Sequence, residues 1–378
     1  MESTTSTVTR VLLKLVGTAL FFLYTLDVRV VERIDIIIRK RHAARKVVFR
    51  NDELGQTSKL AIFVVYPRTE LKNSVLRVRE YLRAAGFAVV FVVNKNSRAA
   101  EWISAFEHLG DTVLLRANLG HDFGAYQAGI EFLKSEDLLR NCQQLVFLND
   151  STIFTQKSEN LLFKFFENSY PWQSLTFSTQ PVLHAQSYFL SFLPEVFNSS
   201  AFSNFWVNYY PTSLRHRVIR TGEIGLSEAL ISAGWLPHSP SLDLAVGMCR
   251  LPLKEMKLEE KIALFFATGA PKNLTPTGAP KNLTHISDEI LLNRFSHELY
   301  ESNPTRTLGL YLARTSGFPL KCDSLIGRLY SLSDVADCLR DCGVHEAEIR
   351  TLSTLFLSML ARKDGMLTSL WSSIGLSR

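Results

Sequence analysis

The sequence predicts an α/β protein built on a doubly wound, mostly parallel sheet, and three observations predict it. Compact runs of β-formers alternate with helically spaced apolar segments across residues 59–148. Each run ends in a turn residue or a polar cluster. The clusters richest in chemistry, 118–124 and 149–152, follow the carboxyl ends of such runs, where open α/β sheets bind their ligands.

Taken in order, residues 59–66 (KLAIFVVY) read as a buried strand closed by Pro67. Leu71, Val75, Val78 and Leu82 recur at helical spacing and Gly86 stops that helix. A second strand, 87–93 (FAVVFVV), ends in a polar NKNS turn, and a short helix over 101–109 is closed by Gly110. The third strand, 112–115, leads into RANLGHDFGAYQAG (116–129), whose latter half begins another helix, and a fourth covers 145–148. After Pro171 the alternation weakens. Strands are expected at 174–177 and 187–192, and a helix over 223–233 ended by Gly234. Beyond Ser302 the chain reads as helices, including 346–362 with Ile349, Leu352, Leu355, Phe356 and Met359 on one apolar face.

The formal charge of +6 is not spread along the chain. Residues 1–50 hold ten Lys/Arg against four acids, and the rest balances at 32 of each sign. A basic end on a neutral body points to anionic lipid rather than nucleic acid. The run VLLKLVGTALFFLYTL (11–26) is shorter than the roughly 20 residues that span hydrocarbon, and no small-residue cleavage site follows it. With Val30, Ile34, Ile37 and Ile38 at helical spacing and RKRHAARK closing the segment, it reads as a helix lying in the cytoplasmic interface of a membrane. The alternatives are a short tilted span, or a helix packed on the protein's own body or a partner. Five sparse cysteines form neither a disulfide framework nor a zinc pattern, which suits a reducing compartment. Cys338 and Cys342 are read as two buried small residues. The tandem TGAPKNLTP and TGAPKNLT over 268–284 is too short for a solenoid unit and suits an exposed loop. The chain thus divides into a basic membrane-associated helix (1–50), an α/β body (51–250), a linker (251–303) and a helical C-terminal region (304–378).

Two strand-end loops carry the candidate chemistry. In Asn149-Asp150-Ser151 a carboxylate is placed to hold a divalent cation, Mg or Mn, on a sugar diphosphate; the bland reading is a turn or cap residue. In the other loop Asn118, Gly120, Asp122 and Gly124 precede a helix whose N-terminus favours phosphate, and Arg116 adds charge-assisted bonds. Close helix packing is the alternative for Gly124 and Gly129. The spacing is not G-x-G-x-x-G, no acidic residue ends the following strand and no Walker lysine motif is present, which sets aside an NAD enzyme and a P-loop enzyme.

Four motifs in order, NLGHDFGAYQAG (118–129), LVFLNDS (145–151), HAQSYFLSF (184–192) and GEIGLSEALISAGW (222–235), resemble the rhamnan synthesis protein F family. The resemblance covers roughly residues 59–235 and implies a GT-A-like nucleotide-sugar fold. It implies transfer of a deoxysugar, typically L-rhamnose from a nucleotide-activated donor, to a surface polysaccharide, lipopolysaccharide or lipid-linked glycan at the cytoplasmic membrane face. By it Asp150 takes the acidic metal and diphosphate position, although Asn-Asp-Ser departs from Asp-x-Asp. Arg116, Asn118, Gly120, Asp122, Gly124 and Asn149 fall on the donor side. Glu223 resembles the general base of inverting enzymes; otherwise it is a helix N-terminal Glu favoured by the macrodipole. His184, Gln186, Tyr188 and Trp235 fall on the acceptor side, with Phe189 a further stacking candidate; core packing is their alternative. Two other readings stay open: a nucleotide-dependent hydrolase, and a non-catalytic scaffold of a polysaccharide-assembly complex. The enzymatic reading requires Asp122, Asp150 and Glu223 to share one cleft.

Overall fold

The computed structural model describes residues 46–179, 182–241, 253–258, 287–293, 308–322 and 330–373, with the single positions 243, 261 and 305. The expected interfacial helix (11–26), most of the linker and its tandem repeat, and Cys249 lie outside the described residues. Among the described residues no helix is long and apolar enough to cross a membrane.

The core is a seven-stranded sheet. Four parallel strands form its centre: β2 (Lys59–Val65), β3 (Ala88–Asn94), β4 (Thr112–Arg116) and β5 (Gln144–Asn149), in the spatial order β4, β3, β2, β5. These runs are apolar along nearly their whole length because helices cover both faces. On one face α1 (Lys72–Ala84), α2 (Ala99–His108) and α4 (Ser158–Glu167) bury Val75, Leu82, Trp102, Phe106 and Phe165 against Phe63, Phe91 and Leu148. On the other, α3 (His121–Ser135) packs Phe123, Tyr126 and Ile130 on Ile62, Val90 and Phe147. The odd and even residues of each strand thus serve separate cores, as the pleat requires. At Gly129 a Cβ would stand 2.7 Å from Ile62 Cγ2, so this glycine lets α3 lie close on β2.

The edges differ from a wholly parallel sheet. Lys46–Phe49 forms β1, antiparallel to β4, so the body begins inside the stretch read as the membrane-associated segment. On the far side β10 (Phe189–Phe192) runs antiparallel to β5, and β7 (Trp172–Ser174) antiparallel to β10. The strand expected over 174–177 is split between β7 and the short β8 (Phe177–Ser178), which pairs with β9 (His184–Ala185). Two helices add to the second core, α5 (Pro194–Phe197) with Val196 and Phe197 and α6 (Ser200–Asn208) with Phe202 and Trp206.

The C-terminal helices α9 (Gly309–Ser316), α10 (Leu332–Asp341) and α11 (Glu346–Ser373) build a third core around Leu310, Leu339, Leu352 and Phe356. Cys338 and Cys342 are buried in it, as expected for small apolar residues. The short strand β11 (Leu320–Lys321) joins this layer to the sheet by pairing antiparallel with β6 (Thr152–Ile153), immediately after Asn149-Asp150-Ser151.

Candidate active site

Strand order reverses at β2: β3 and β4 extend to one side and β5 begins the other. A crevice opens beyond the carboxyl ends at such a switch point. It is occupied here by a cleft of about 750 Å³. Its walls include Tyr66 and Arg68 after β2, Asn94 and Arg98 after β3, Asn118 and Asp122 after β4, and Asn149 and Asp150 after β5. Glu223 and Tyr188 reach it from the antiparallel side, and Lys321 from β11. The three carboxylates Asp122, Asp150 and Glu223, distant in sequence, therefore share one cleft.

Each is held differently. Asp150 Oδ2 accepts the Tyr66 amide at 2.8 Å, and the Asp150 amide donates to the Val64 carbonyl at 3.2 Å, so the residue bridges β5 to β2 at the switch point. Burial pushes its carboxyl up to about 7, the Tyr66 amide opposes that rise, and the nearby Asp122 adds to it. Asp122, in the first turn of α3, accepts the Asn149 amide on Oδ2 at 2.9 Å. Its carboxyl is also raised, first by burial, with His121 opposing and Glu223 reinforcing the shift.

Glu223 is not at a helix N-terminus. It sits in a π-helical turn, Val218–Ile224, between the one-turn helix α7 (Arg215–Arg217) and α8 (Gly225–Ser232). The macrodipole explanation of this glutamate therefore falls away, and π-turns are frequent at functional sites. The wide turn carries Glu223 to the cleft, where Oε1 accepts the Ser187 amide at 2.7 Å. Gly222 permits this close approach, because a Cβ there would meet the Phe123 ring at 2.7 Å.

A chain of hydrogen bonds connects Asp122 to Glu223. Asn149 Nδ2 donates to Asp122 and lies 3.3 Å from the Tyr126 hydroxyl, which donates to the Ser187 carbonyl at 2.9 Å. The Ser187 amide then holds Glu223. The buried Tyr126 phenol is kept well above its usual range by burial first and by Asp122 next, so it acts as a neutral bridge.

Several sequence candidates stand behind the cleft rather than on it. Arg116 donates to Asn94 Oδ1 at 2.9 Å and to the Leu119 carbonyl, bracing the 116–121 loop; burial lowers its guanidinium to about 10. Gly120, with φ +77°, leaves no room for a Cβ beside Pro211, and at Gly124 a Cβ would lie 2.2 Å from the Leu119 carbonyl oxygen. Both are required by the turn that starts α3. Buried His184 spans two partners, the Val182 carbonyl at Nδ1 and the Gln186 side-chain amide at Nε2. Trp235 packs against the second core, and Phe189 is fully buried in the first. Tyr188 does line the cleft, its hydroxyl 2.9 Å from Thr176 Oγ1.

Sequence reasoning missed Tyr66, Arg68, Ser187 and Lys321. Arg68 was recoverable, since it follows a strand end that the switch-point rule marks. Lys321 gave no signal, because a two-residue strand carries no periodicity. Among the described residues no three His, Cys, Asp or Glu side chains converge as a metal site.

Residues 89–239 match the family described as Rhamnan synthesis protein F, a stretch that contains all four motifs. The virulence protein VirA of Vibrio anguillarum is 31% identical over 149 residues, covering 39% of this chain and 47% of that protein. Protein y4gN of Sinorhizobium fredii is 28% identical over 176 residues, covering 45% of each. The match thus spans about half the length of these curated relatives. Among solved structures, a mannosyltransferase of Pyrobaculum calidifontis in complex with GDP-Man and Mn2+ superposes over 90% of this chain and 95% of its own, at 11% identity and a TM-score of 0.30. The glycosyltransferase GlyE of Streptococcus pneumoniae covers 70% of this chain and 66% of its own, at 11% identity and the same TM-score. A 4-diphosphocytidyl-2C-methyl-D-erythritol synthase of Anaerococcus prevotii covers 43% and 84% at 10% identity, with a TM-score of 0.28. Scores this low carry neither a fold type nor an activity across to this chain.

Proposed function

We propose that this protein is a glycosyltransferase of GT-A-like design that moves a sugar from a nucleoside diphosphate donor to a glycan acceptor with inversion. The observation that carries the reading is the meeting of Asp122, Asp150 and Glu223 in one cleft at the strand switch point. The family match over 89–239 supports it, and supports a deoxysugar such as L-rhamnose as the donor sugar.

In this mechanism the donor's diphosphate lies over the carboxyl ends of β2 and β5, and the acceptor approaches from the Glu223 side. The acceptor oxygen forms a bond to the anomeric carbon as the bond to the diphosphate oxygen breaks, and that electron pair leaves with the nucleoside diphosphate. Glu223 takes the proton of the acceptor hydroxyl. The Ser187 amide fixes one of its oxygens, so the carboxylate is oriented before the acceptor arrives. Tyr188, 2% exposed and packed in the first core, backs the cleft wall and supports Lys321 rather than stacking on a sugar.

Asp122 and Asp150 together suit a divalent cation, Mg or Mn, that is bound jointly by one or two carboxylates and a diphosphate. Such an ion would offset phosphate charge. The acceptor in this reading is a surface polysaccharide, lipopolysaccharide or lipid-linked glycan at the cytoplasmic membrane face. The basic excess confined to residues 1–50 supports contact with anionic lipid.

The test is incubation of the purified full chain with dTDP-, UDP- and GDP-sugars and membrane acceptor lipids, following nucleoside diphosphate release. Acceptor-dependent release from one donor class is expected. Release that ignores the acceptor would replace this reading with a hydrolase, and silence across the panel would leave a scaffold.

A further inference from the structure

Lys321 belongs to the C-terminal layer and lies outside the stretch that carries the family match, against which its strand pairs. In β11 the pleat sends Leu320, 1% exposed, into the third core and Lys321 into the cleft. The strand is pinned along one edge: Leu320 and Lys321 pair with Ile153 and Thr152, and the Cys322 amide donates to the Ser151 carbonyl at 3.0 Å. Just upstream Gly317, with φ +70°, is so close to the Lys157 carbonyl that a Cβ would stand 2.2 Å from its oxygen. The approach of this segment to the loop after β6 is thus fixed by backbone contact.

The ammonium at the end of this strand forms no ion pair, although its charge reaches Asp122 in the cleft. Lys321 Nζ donates to the neutral Gln186 Oε1 at 3.1 Å and stands 5.6 Å from the centre of the Tyr188 ring. Among the described residues no carboxylate lies within ion-pair distance of it. Arg68, on the same cleft, is in the same situation: its guanidinium stands 5.6 Å from the Tyr66 ring centre, beyond ion-pair distance of any carboxylate among the described residues, with its charge reaching Asp150. A cation held in a cleft by an amide and a π-face keeps its Coulomb attraction for a ligand, whereas a salt bridge would spend it internally.

We propose that Lys321, assisted by Arg68, is the diphosphate-binding cation pair of this cleft and stabilises the charge that develops on the departing nucleoside diphosphate. This rests on the glycosyl-transfer reading for the reaction, but the anion site itself does not. Both residues lie outside 89–239, so the family-matched stretch is an incomplete site without the segments on either side of it. Lys321 contributes binding in the ground state and more in the transition state, when the bridging oxygen gains negative charge.

The test uses the full chain and two probes, inorganic pyrophosphate and a nucleoside diphosphate, titrated by calorimetry in the presence of a chelator. The wild type is expected to bind both, Lys321→Met to bind both about 10- to 100-fold more weakly, and Lys321→Arg to retain most of the affinity. Binding of the uncharged nucleoside should not change. Urea unfolding midpoints for the three proteins separate a binding defect from a folding defect. Equal pyrophosphate affinity in wild type and a folded Lys321→Met, or no pyrophosphate binding by the wild type, overturns the proposal. Pyrophosphate binding that depends on Lys321, in a protein that turns over no nucleotide sugar, supports the anion site and sinks the glycosyl-transfer reading alone.

Discussion

Asn149 Nδ2 donates to Asp122 Oδ2 at 2.9 Å, and this bond ties the end of β5 to the first turn of α3. It decides what position 149 tolerates. An amide can give a proton to Asp122; a carboxylate cannot. Asn149→Asp would restore a second acid beside Asp150 yet set like charges against each other in a buried place. The expected outcome is a loss of about 1–3 kcal/mol in urea unfolding at pH 8, shrinking at pH 5, where one of the two carboxyls takes a proton. Equal stability of this variant and the wild type at pH 8 would show that the bond is not formed in solution.

Asp150 gives a pH dependence with a defined sign. Its folded carboxyl is raised from 3.8 to about 7 by burial. Between those values the folded protein holds a proton that the unfolded chain has released. Stability therefore falls as pH rises through that window and levels off above it. Asp150→Asn keeps an acceptor for the Tyr66 amide and removes the titration. With a chelator present, the variant is expected to gain about 1–3 kcal/mol on the wild type at pH 8 and nothing at pH 4. A wild-type curve as flat as that of the variant would refute the assignment.

Glu223→Gln separates chemistry from binding. Glutamine keeps an acceptor for the Ser187 amide, so the π-turn and the cleft should persist. A lost general base costs about 100- to 10,000-fold in kcat with little change in donor KM. A variant that keeps the wild-type kcat would assign the base elsewhere.

The four parallel strands and their covering helices were legible because buried strands write themselves as unbroken β-former runs and α1 keeps its apolar residues at helical spacing. The antiparallel edge was less so: the strand expected over 187–192 is present as β10, but β7 is three residues long and neither segment shows its antiparallel direction locally. That Asp122, Asn149 and Asp150 line the cleft was legible because strand ends mark ligands in this class of sheet. Arg116 and Gly124 belong to the same loop but stand behind the cleft, because the sequence shows residue type but not that the guanidinium turns back on Leu119. Lys321 depends on a tertiary contact between β11 and β6, which no local signal encodes.

One buried ion pair tests the frame that supports all of this. Arg79 Nε meets Asp111 Oδ2 at 2.6 Å and Nη2 meets Oδ1 at 3.3 Å, joining α1 to the start of β4, and both residues are buried. Burial alone would lower the Arg79 guanidinium and raise the Asp111 carboxyl; the partner opposes each shift. Removing Asp111 leaves the buried Arg79 with only the exposed Glu80, 2.6 Å from Nη1, as a charge partner, a loss of up to about 3–5 kcal/mol. Asp111→Ala should therefore unfold at markedly lower urea, whereas Arg79→Leu with Asp111→Leu should recover much of the loss, because no charge is then stranded. A double variant no more stable than Asp111→Ala would mean that the pair fixes geometry between α1 and β4 beyond cancelling charge, and the cleft at the end of β4 would be expected to lose diphosphate affinity with it.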